Sequence, residues 1–360
     1  MRSGLRSLWL VAVSALLATG CATGTTPQSP APGPVLAPFA PGAPTVERAG
    51  VRWAARPLPV SQAFQDAIAA GTRTESGAPG RNYWTQEVDY DIRVELDPET
   101  ATLQGSETIT YRNRSPEPIG VLIFHLYQNL FSEGAERTRA VPITGGITID
   151  RVGFGGRELT RVEAPQRGGY LVLGTLMAVY PDAAIPVQGS AELEIDWSFV
   201  VPPEGAPRMG HIDRELFNVA QWYPQVAVYD DLDGWDTWPY LGNGEFYLEY
   251  GDFDVAITVP EGWLVGATGS LQNRDEVLPG AVLDRLDRAL VSDEVVQVVE
   301  ESERGAGTAT RTDPTGTLTW RFRAEGVRDF AFATSSEYVW DAARAITPDA
   351  NGDGQDEPWE

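Results

Sequence analysis

The sequence predicts a mainly β fold, an antiparallel sandwich or large twisted sheet carrying a few short helices. Three observations predict it. Apolar residues recur at every second position in several long segments, turn-forming residues separate those segments, and helical spacing is confined to two short stretches.

Ser61 is placed to cap a helix over Gln62 to Ala70 that ends before Gly71. From Trp84 onward the period is two. Val88, Tyr90, Ile92, Val94 and Leu96 alternate with Asp89, Asp91, Arg93, Glu95 and Asp97, which is a strand with one wet face. Asp97-Pro98-Glu99 turns the chain, and Leu103 to Arg112 returns as the partner strand, with Gly105 expected to form a bulge. Ile119 to Tyr127 is apolar at nearly every position and is expected to be covered on both faces. Ala191, Leu193, Ile195, Trp197 and Phe199 share one face of a further strand, as do Phe253, Val255, Ile257 and Val259. Leu318, Trp320 and Phe322 alternate with Thr319, Arg321 and Arg323. The helical interruption is Ala281 to Leu290, where Val282, Leu283, Leu286 and Leu290 line one face.

The first residues carry a different signal. Arg2 and Arg6 precede an apolar run, Leu8 to Ala18, which is too short to span a bilayer and fits a secretory signal. It ends in Leu17-Ala18-Thr19-Gly20-Cys21, which resembles the bacterial lipobox, so Cys21 is the expected lipidation site. As the chain's one cysteine it cannot form an internal disulfide. The alternative is an ordinary signal peptide followed by a free thiol. Thr23 to Pro44 is almost all Thr, Pro, Ser, Gly and Ala, a stalk with too little apolar surface to fold. These features predict a cell-envelope protein attached to a membrane by its lipid, and Ala22 beside Cys21 leans toward the outer membrane. The expected organisation is a signal over 1–21, a linker with a short helix over 22–80, a β domain over 81–345 and an acidic loop over 346–360.

The 360 residues are 42% hydrophobic, with 11 Trp, 12 Tyr and 12 Phe, enough for a large core. The formal charge is -24 and every basic residue apart from histidine is arginine. A nucleic-acid partner is excluded, because it needs a basic footprint.

Ordered segments in the middle of the chain carry a family likeness. Tyr83-Trp84 through Asp91-Ile92, Phe124-His125-Leu126-Tyr127-Gln128-Asn129 and Gln221-Trp222-Tyr223-Pro224-Gln225 come first. Asp233-Gly234-Trp235, Gly244-Glu245-Phe246-Tyr247, Gly251-Asp252-Phe253-Asp254-Val255, Ile257-Thr258-Val259-Pro260 and Gly266-Ala267-Thr268-Gly269 follow. Val327-Arg328-Asp329-Phe330-Ala331-Phe332-Ala333 closes the set. Together, from about Tyr83 to Trp340, they resemble the N-terminal domain of aminopeptidase N-like zinc metallopeptidases. The resemblance implies a saddle-shaped antiparallel β domain that packs on a catalytic domain of the same parent chain and walls its peptide-binding cleft. It also implies that a Gln or Glu of this domain, here Gln221, hydrogen-bonds the free amine of the peptide substrate; the alternative is a polar residue beside the aromatic core around Trp222 and Tyr223.

The family's zinc chemistry sits in a later domain, on a His-Glu-x-x-His helix. This sequence has neither that helix nor the Gly-x-Met-Glu-Asn-type strand before it. Its two histidines, His125 and His211, are not at helix spacing and neither is followed by Glu. Zinc is therefore expected only in the parent's catalytic domain, and the chain, stopping at Glu360, is read as the front portion of such an enzyme with no peptidase activity by itself. His125 reads as a core or interface histidine and His211 as a loop histidine.

Two acidic stretches invite other readings. Asp230, Asp231, Asp233 and Asp236 lie among Trp235, Trp238, Tyr240 and Tyr247. Acids beside aromatics suit a sugar or cation site, or else a loop folded over its own aromatic core, and the loop is the favoured reading. Near the end, Asp349, Asn351, Asp353, Gln355 and Glu360 match the spacing of an EF-hand calcium loop, with Gly354 at its sharp turn. Asp356 stands where that loop usually has an apolar residue. The alternative for the whole chain is a non-catalytic β-sandwich lipoprotein that binds a glycan or an envelope partner.

Overall fold

The structure is a computed structural model and describes residues 60–203, 206–244, 246–347 and 357–359. Cys21, the stalk and the calcium-type positions Asp349, Asn351, Asp353, Gln355 and Glu360 lie outside the described residues.

The alternating segments build one eight-stranded sheet. Its order across the sheet is 270–271, 317–327, 251–260, 87–97, 102–112, 190–200, 147–154 and 157–158. The predicted antiparallel arrangement holds between neighbours with one exception at the centre. There Glu87–Asp97 runs parallel to Gly251–Pro260, with Ile92 opposite Val255 and Val94 opposite Ile257. A parallel pair needs a long crossover, and the segment 98–250, which holds most of the remaining elements, supplies it.

One face of this sheet is dry. Val88, Tyr90, Ile92, Val94 and Leu96 are buried as their period of two predicts, and so are Leu193, Ile195, Trp197 and Phe199 on a neighbouring strand. A second layer covers this face. It comprises a five-stranded sheet (225–226, 122–125, 176–180, 169–173, 160–161) and a four-stranded sheet (210–212, 216–219, 332–335, 264–267). A single apolar cluster joins the layers, with Trp197 and Trp222 in edge contact at 5.7 Å and Tyr90 meeting Tyr223 edge-on at 5.3 Å. The fold is thus a mainly β sandwich.

The short helix Gln62–Ala70 forms as its caps dictate. Ser61 Oγ accepts the Phe64 N–H at 3.3 Å, and Gly71 stops the helix in the left-handed conformation at φ 77°. After a single helical turn at Arg274–Val277, the other predicted helix spans Gly280–Ala289; Val282 is buried and Leu283 and Leu286 pack on the core. Leu290 falls on its C-cap and is exposed, so that end of the expected apolar face is wet.

Two local expectations are corrected. Gly105 forms no bulge: it stays in register, paired with Val94 and Trp197. Its missing side chain makes room for the Trp197 indole, since a Cβ there would lie 2.5 Å from the ring. His211 is not in a loop but in a short strand, Gly210–Ile212, paired with Leu216–Val219. Asp213 and Arg214 turn that hairpin, both in the left-handed region at φ 50° and 62°. The apolar stretch 119–127 narrows to a strand at Leu122–His125, because Tyr127–Phe131 coils into a fully buried 3-10 turn.

Candidate functional site

The hairpin and the segment after it concentrate backbone strain. Six non-glycine residues adopt the left-handed conformation among the described residues, and four of them, Arg208, Asp213, Arg214 and Gln221, fall within this one stretch. Such residues persist where the surroundings over-determine them, and they cluster at binding sites.

Gln221 is held through its backbone. Its φ is 49° and its exposure is 8%. Its backbone carbonyl accepts from Gln128 Nε2 at 2.7 Å, and the same Nε2 lies 3.0 Å from Met209 Sδ. Its side chain is near enough to Asp329 to help draw that carboxyl down. The Asp329 carboxylate accepts from the Tyr223 hydroxyl at 2.9 Å and from the Phe330 N–H at 2.8 Å. Trp222 Nε1 ties the two segments together by donating to the Phe330 carbonyl at 2.8 Å. Burial pushes the Asp329 carboxyl up, against the opposing pull of Tyr223, the Phe330 N–H, Gln221 and nearby Arg208. The arrangement is an amide beside a half-buried acid, both locked to the aromatic core.

Aromatic rings lie beside Gln128. Tyr127 meets Tyr240 and Phe246 edge-on at 5.2 and 5.0 Å, and the Arg208 guanidinium lies over Phe246 at 5.0 Å. On its other side Tyr127 stacks on His125, whose Nε2 is 3.7 Å from Asp236. Its nearness is the main cause holding the Asp236 carboxyl below its usual range. His125 is therefore a core histidine fixed by one acid, as its strand position implied. His211 packs on Phe217, and burial lowers its pKa, with Arg214 adding to the effect.

Among the described residues no three His, Cys, Asp or Glu side chains converge on a metal site. The donor set among the described residues does not fit a catalytic zinc. Ala345–Thr347, just before the calcium-type segment, pairs as a hairpin with Glu357–Trp359 inside it, where an EF-hand would lead into its second helix.

The acids of the 229–250 loop are engaged within the fold. Asp231 forms a bidentate pair with Arg73, its closest approach 2.7 Å. Asp230 accepts from the Leu232 and Asp233 backbone amides and from the Tyr247 hydroxyl. Tyr229 packs on Trp235 and Trp84. This is the loop folded on its own aromatics. Trp238 is the exception, at 82% exposure. An apolar groove of about 500 Å³, lined by Leu264, Leu271, Leu286, Phe322 and Trp340, has Arg274 as its one charged group and offers no chemistry.

Gln128, Asp329 and Arg208 escaped sequence reasoning. The first two stood in quoted motifs, each a polar residue beside an apolar run. That signal marks a satisfied or functional buried group without saying which.

No family model and no curated protein matches the sequence. Among solved structures the chain is similar in fold to a mutant of an M1 zinc metallopeptidase from Deinococcus radiodurans, at 12% identity and a TM-score of 0.40, over 72% of this chain and 44% of the other. The same peptidase without that mutation gives 11% identity and a TM-score of 0.37, over 70% and 42%. A third structure, a mutant bound to a Tyr-Ser-Ala substrate, gives 12% and 0.40, over 76% and 46%. The chain spans less than half of each of these structures.

Proposed function

We propose that this chain is the N-terminal β domain of an aminopeptidase N-like zinc metallopeptidase, anchored to the cell envelope through Cys21. The ordered motifs from Tyr83 to Trp340 support this reading. The observation that carries it is Gln221: a nearly buried glutamine in a left-handed backbone, its carbonyl held by Gln128. A glutamine amide can accept from a peptide's N-terminal ammonium through Oε1. The domain's part in the reaction is to bind and orient that amine at one wall of the cleft. Zinc and the general base belong to the parent's later domain, so the chain by itself is expected to lack peptidase activity.

In the full-length parent, Gln221→Ala is expected to raise KM for aminoacyl substrates about tenfold while kcat changes less, the pattern of lost ground-state binding. An unchanged KM removes the reading. Cys21→Ser is expected to move the protein from the membrane to the soluble fraction and to abolish radiolabelled-fatty-acid incorporation; retention at the membrane refutes the lipid anchor. Calcium at Asp349, Asn351, Asp353, Gln355 and Glu360 is expected to give a calorimetric heat at millimolar concentration. No heat and no stabilisation reject that site.

The exposed Trp238, with Tyr247 and Tyr250 also exposed nearby in the sequence, favours one second reading, a binding lipoprotein for a glycan or an envelope partner. A reading frame that continues into His-Glu-x-x-His separates the two, because the binding lipoprotein needs no such domain.

A further inference from the structure

The outer strands of the three larger sheets are guarded, with one exception. Ser270–Leu271, Arg157–Glu158, Gln225–Val226 and Thr160–Arg161 are each two residues long, too short to template another strand. Gly210–Ile212 is longer, but the His211 N–H donates across its outer side to the Pro202 carbonyl at 3.0 Å. The exception is Leu264–Ala267, the other outer strand of the same sheet. It carries neither a charge nor a proline, the residues that blunt an exposed edge.

In the antiparallel pairing with Phe332–Ser335, Gly266 is opposite Ala333 and Ala267 opposite Phe332. Just beyond, the Thr268 N–H donates to the Ala331 carbonyl at 3.0 Å. Alternate residues of an antiparallel strand turn both backbone groups to the same neighbour. Thr268, Gly266 and Leu264 therefore face Phe332–Ser335, and the N–H and C=O of Val265 and Ala267 face away from it. Among the described residues no other element hydrogen-bonds them.

The apolar groove runs along this edge. All four residues from Leu264 to Ala267 line it. Side chains alternate across a strand, so a cavity over one face meets every second residue; one that meets four in succession lies beside the strand. Leu286 and Trp340 add apolar surface, as do Leu290 and Val339, which are exposed. No acid lines the groove, and its one charge is Arg274, in a chain of net charge -24. Asp287 takes one Arg274 nitrogen, and a guanidinium has five N–H donors, so it has capacity for a second carboxylate.

We propose that the groove is a docking site for an extended acidic peptide. The peptide pairs with Val265 and Ala267 as an added strand, lays alternate apolar side chains in the groove and sets a carboxylate on Arg274. The unpaired backbone groups select a backbone partner, and the arginine selects an acidic residue over a basic one. The site does not depend on the Gln221 reading and stands if that reading falls.

The test uses the full chain and a fluorescein-labelled peptide, Ser-Val-Thr-Val-Thr-Glu, amidated at its C-terminus. Binding is read by anisotropy and backbone protection by hydrogen exchange. The peptide is expected to bind and to slow exchange over 264–268; no binding, or protection elsewhere, overturns the site. Two further copies are N-methylated, one on the valines and one on the threonines. A strand that pairs by one edge tolerates one pattern and loses about tenfold on the other. Equal effects of the two patterns overturn the strand pairing.

Ala267→Pro removes one outward N–H, a change that edge strands tolerate, and is expected to weaken binding about tenfold. Unchanged affinity overturns the edge as the contact. Should this variant unfold, the methylation comparison decides on the unaltered chain. Arg274→Gln is expected to erase the preference for this peptide over one ending in Gln, and a retained preference overturns the role of Arg274. Protection over 264–268 that grows with protein concentration in the absence of peptide assigns the edge to a second copy and overturns the peptide as its occupant.

Discussion

Glu107 sits in the dry row of its strand with Leu103, Ile109 and Tyr111, is 2% exposed, and has no hydrogen-bond partner for either carboxylate oxygen. Burial drives its pKa well up, so the native state holds a proton that the unfolded state releases. Stability therefore falls as pH rises from the ordinary glutamate range toward the raised value. Glu107→Leu is expected to remove that slope and add about 1–3 kcal/mol at neutral pH, read from urea unfolding at several pH values. A destabilised variant would show that the carboxyl has a partner in solution. Glu249 carries a milder version. Burial pushes it up to about 7 from 4.5, so its contribution declines across that interval and is constant above it. Glu249→Gln is expected to flatten the stability profile there, and an unaltered profile contradicts the assignment. At Gly105 the direction reverses. Alanine forces the Trp197 ring to move, at a cost of about 1–3 kcal/mol. In sequence, Gly105 and Glu107 interrupt an apolar alternation, and interruption alone does not separate a bulge from a ring contact or a buried acid from a wet one.

The element most exposed to single substitutions is the lead-in over residues 62–84. Its helix is capped but short, and helices of that length need tertiary support. Arg73 provides it through the bidentate pair with Asp231, whose side chain is 2% exposed, while Trp84 stacks on Tyr229. Removing one member of so covered a pair leaves the other uncompensated. Asp231→Ala is expected to cost about 2 kcal/mol or more and to speed amide exchange across 71–84; unaltered exchange would mean that the rings hold the segment without the ion pair. The helix itself was legible because its caps are local: Ser61 and Gly71 announce both ends. The Arg73–Asp231 pair was not, because its members are far apart in sequence and nothing near either one names the other. The same division runs through the candidate site. Gln221 was singled out through its motif, whereas Gln128 drew notice only once the fold set its amide on the Gln221 carbonyl.

At the scale of the whole molecule, alternation of period two foretold the strands and their dry faces, which is why the core and fold class were readable. It carries no information on strand direction, so the parallel pair at the sheet's centre was missed. That pair joins residues far apart in the chain, and refolding is expected to be slow, on the order of seconds. A millisecond single phase would contradict this. The net charge of -24 adds self-repulsion to the folded state. Raising salt is expected to lift the melting temperature by a few degrees as it screens that repulsion, and a drop on adding salt would show that ion pairs outweigh it. One further consequence follows from the bond between the Trp222 indole and the Phe330 carbonyl. It clasps two remote stretches before any visitor arrives, so their ordering is completed when the chain folds. Binding at the proposed Gln221 site is then expected to freeze little further motion, with the heat and entropy signature of a rigid receptor.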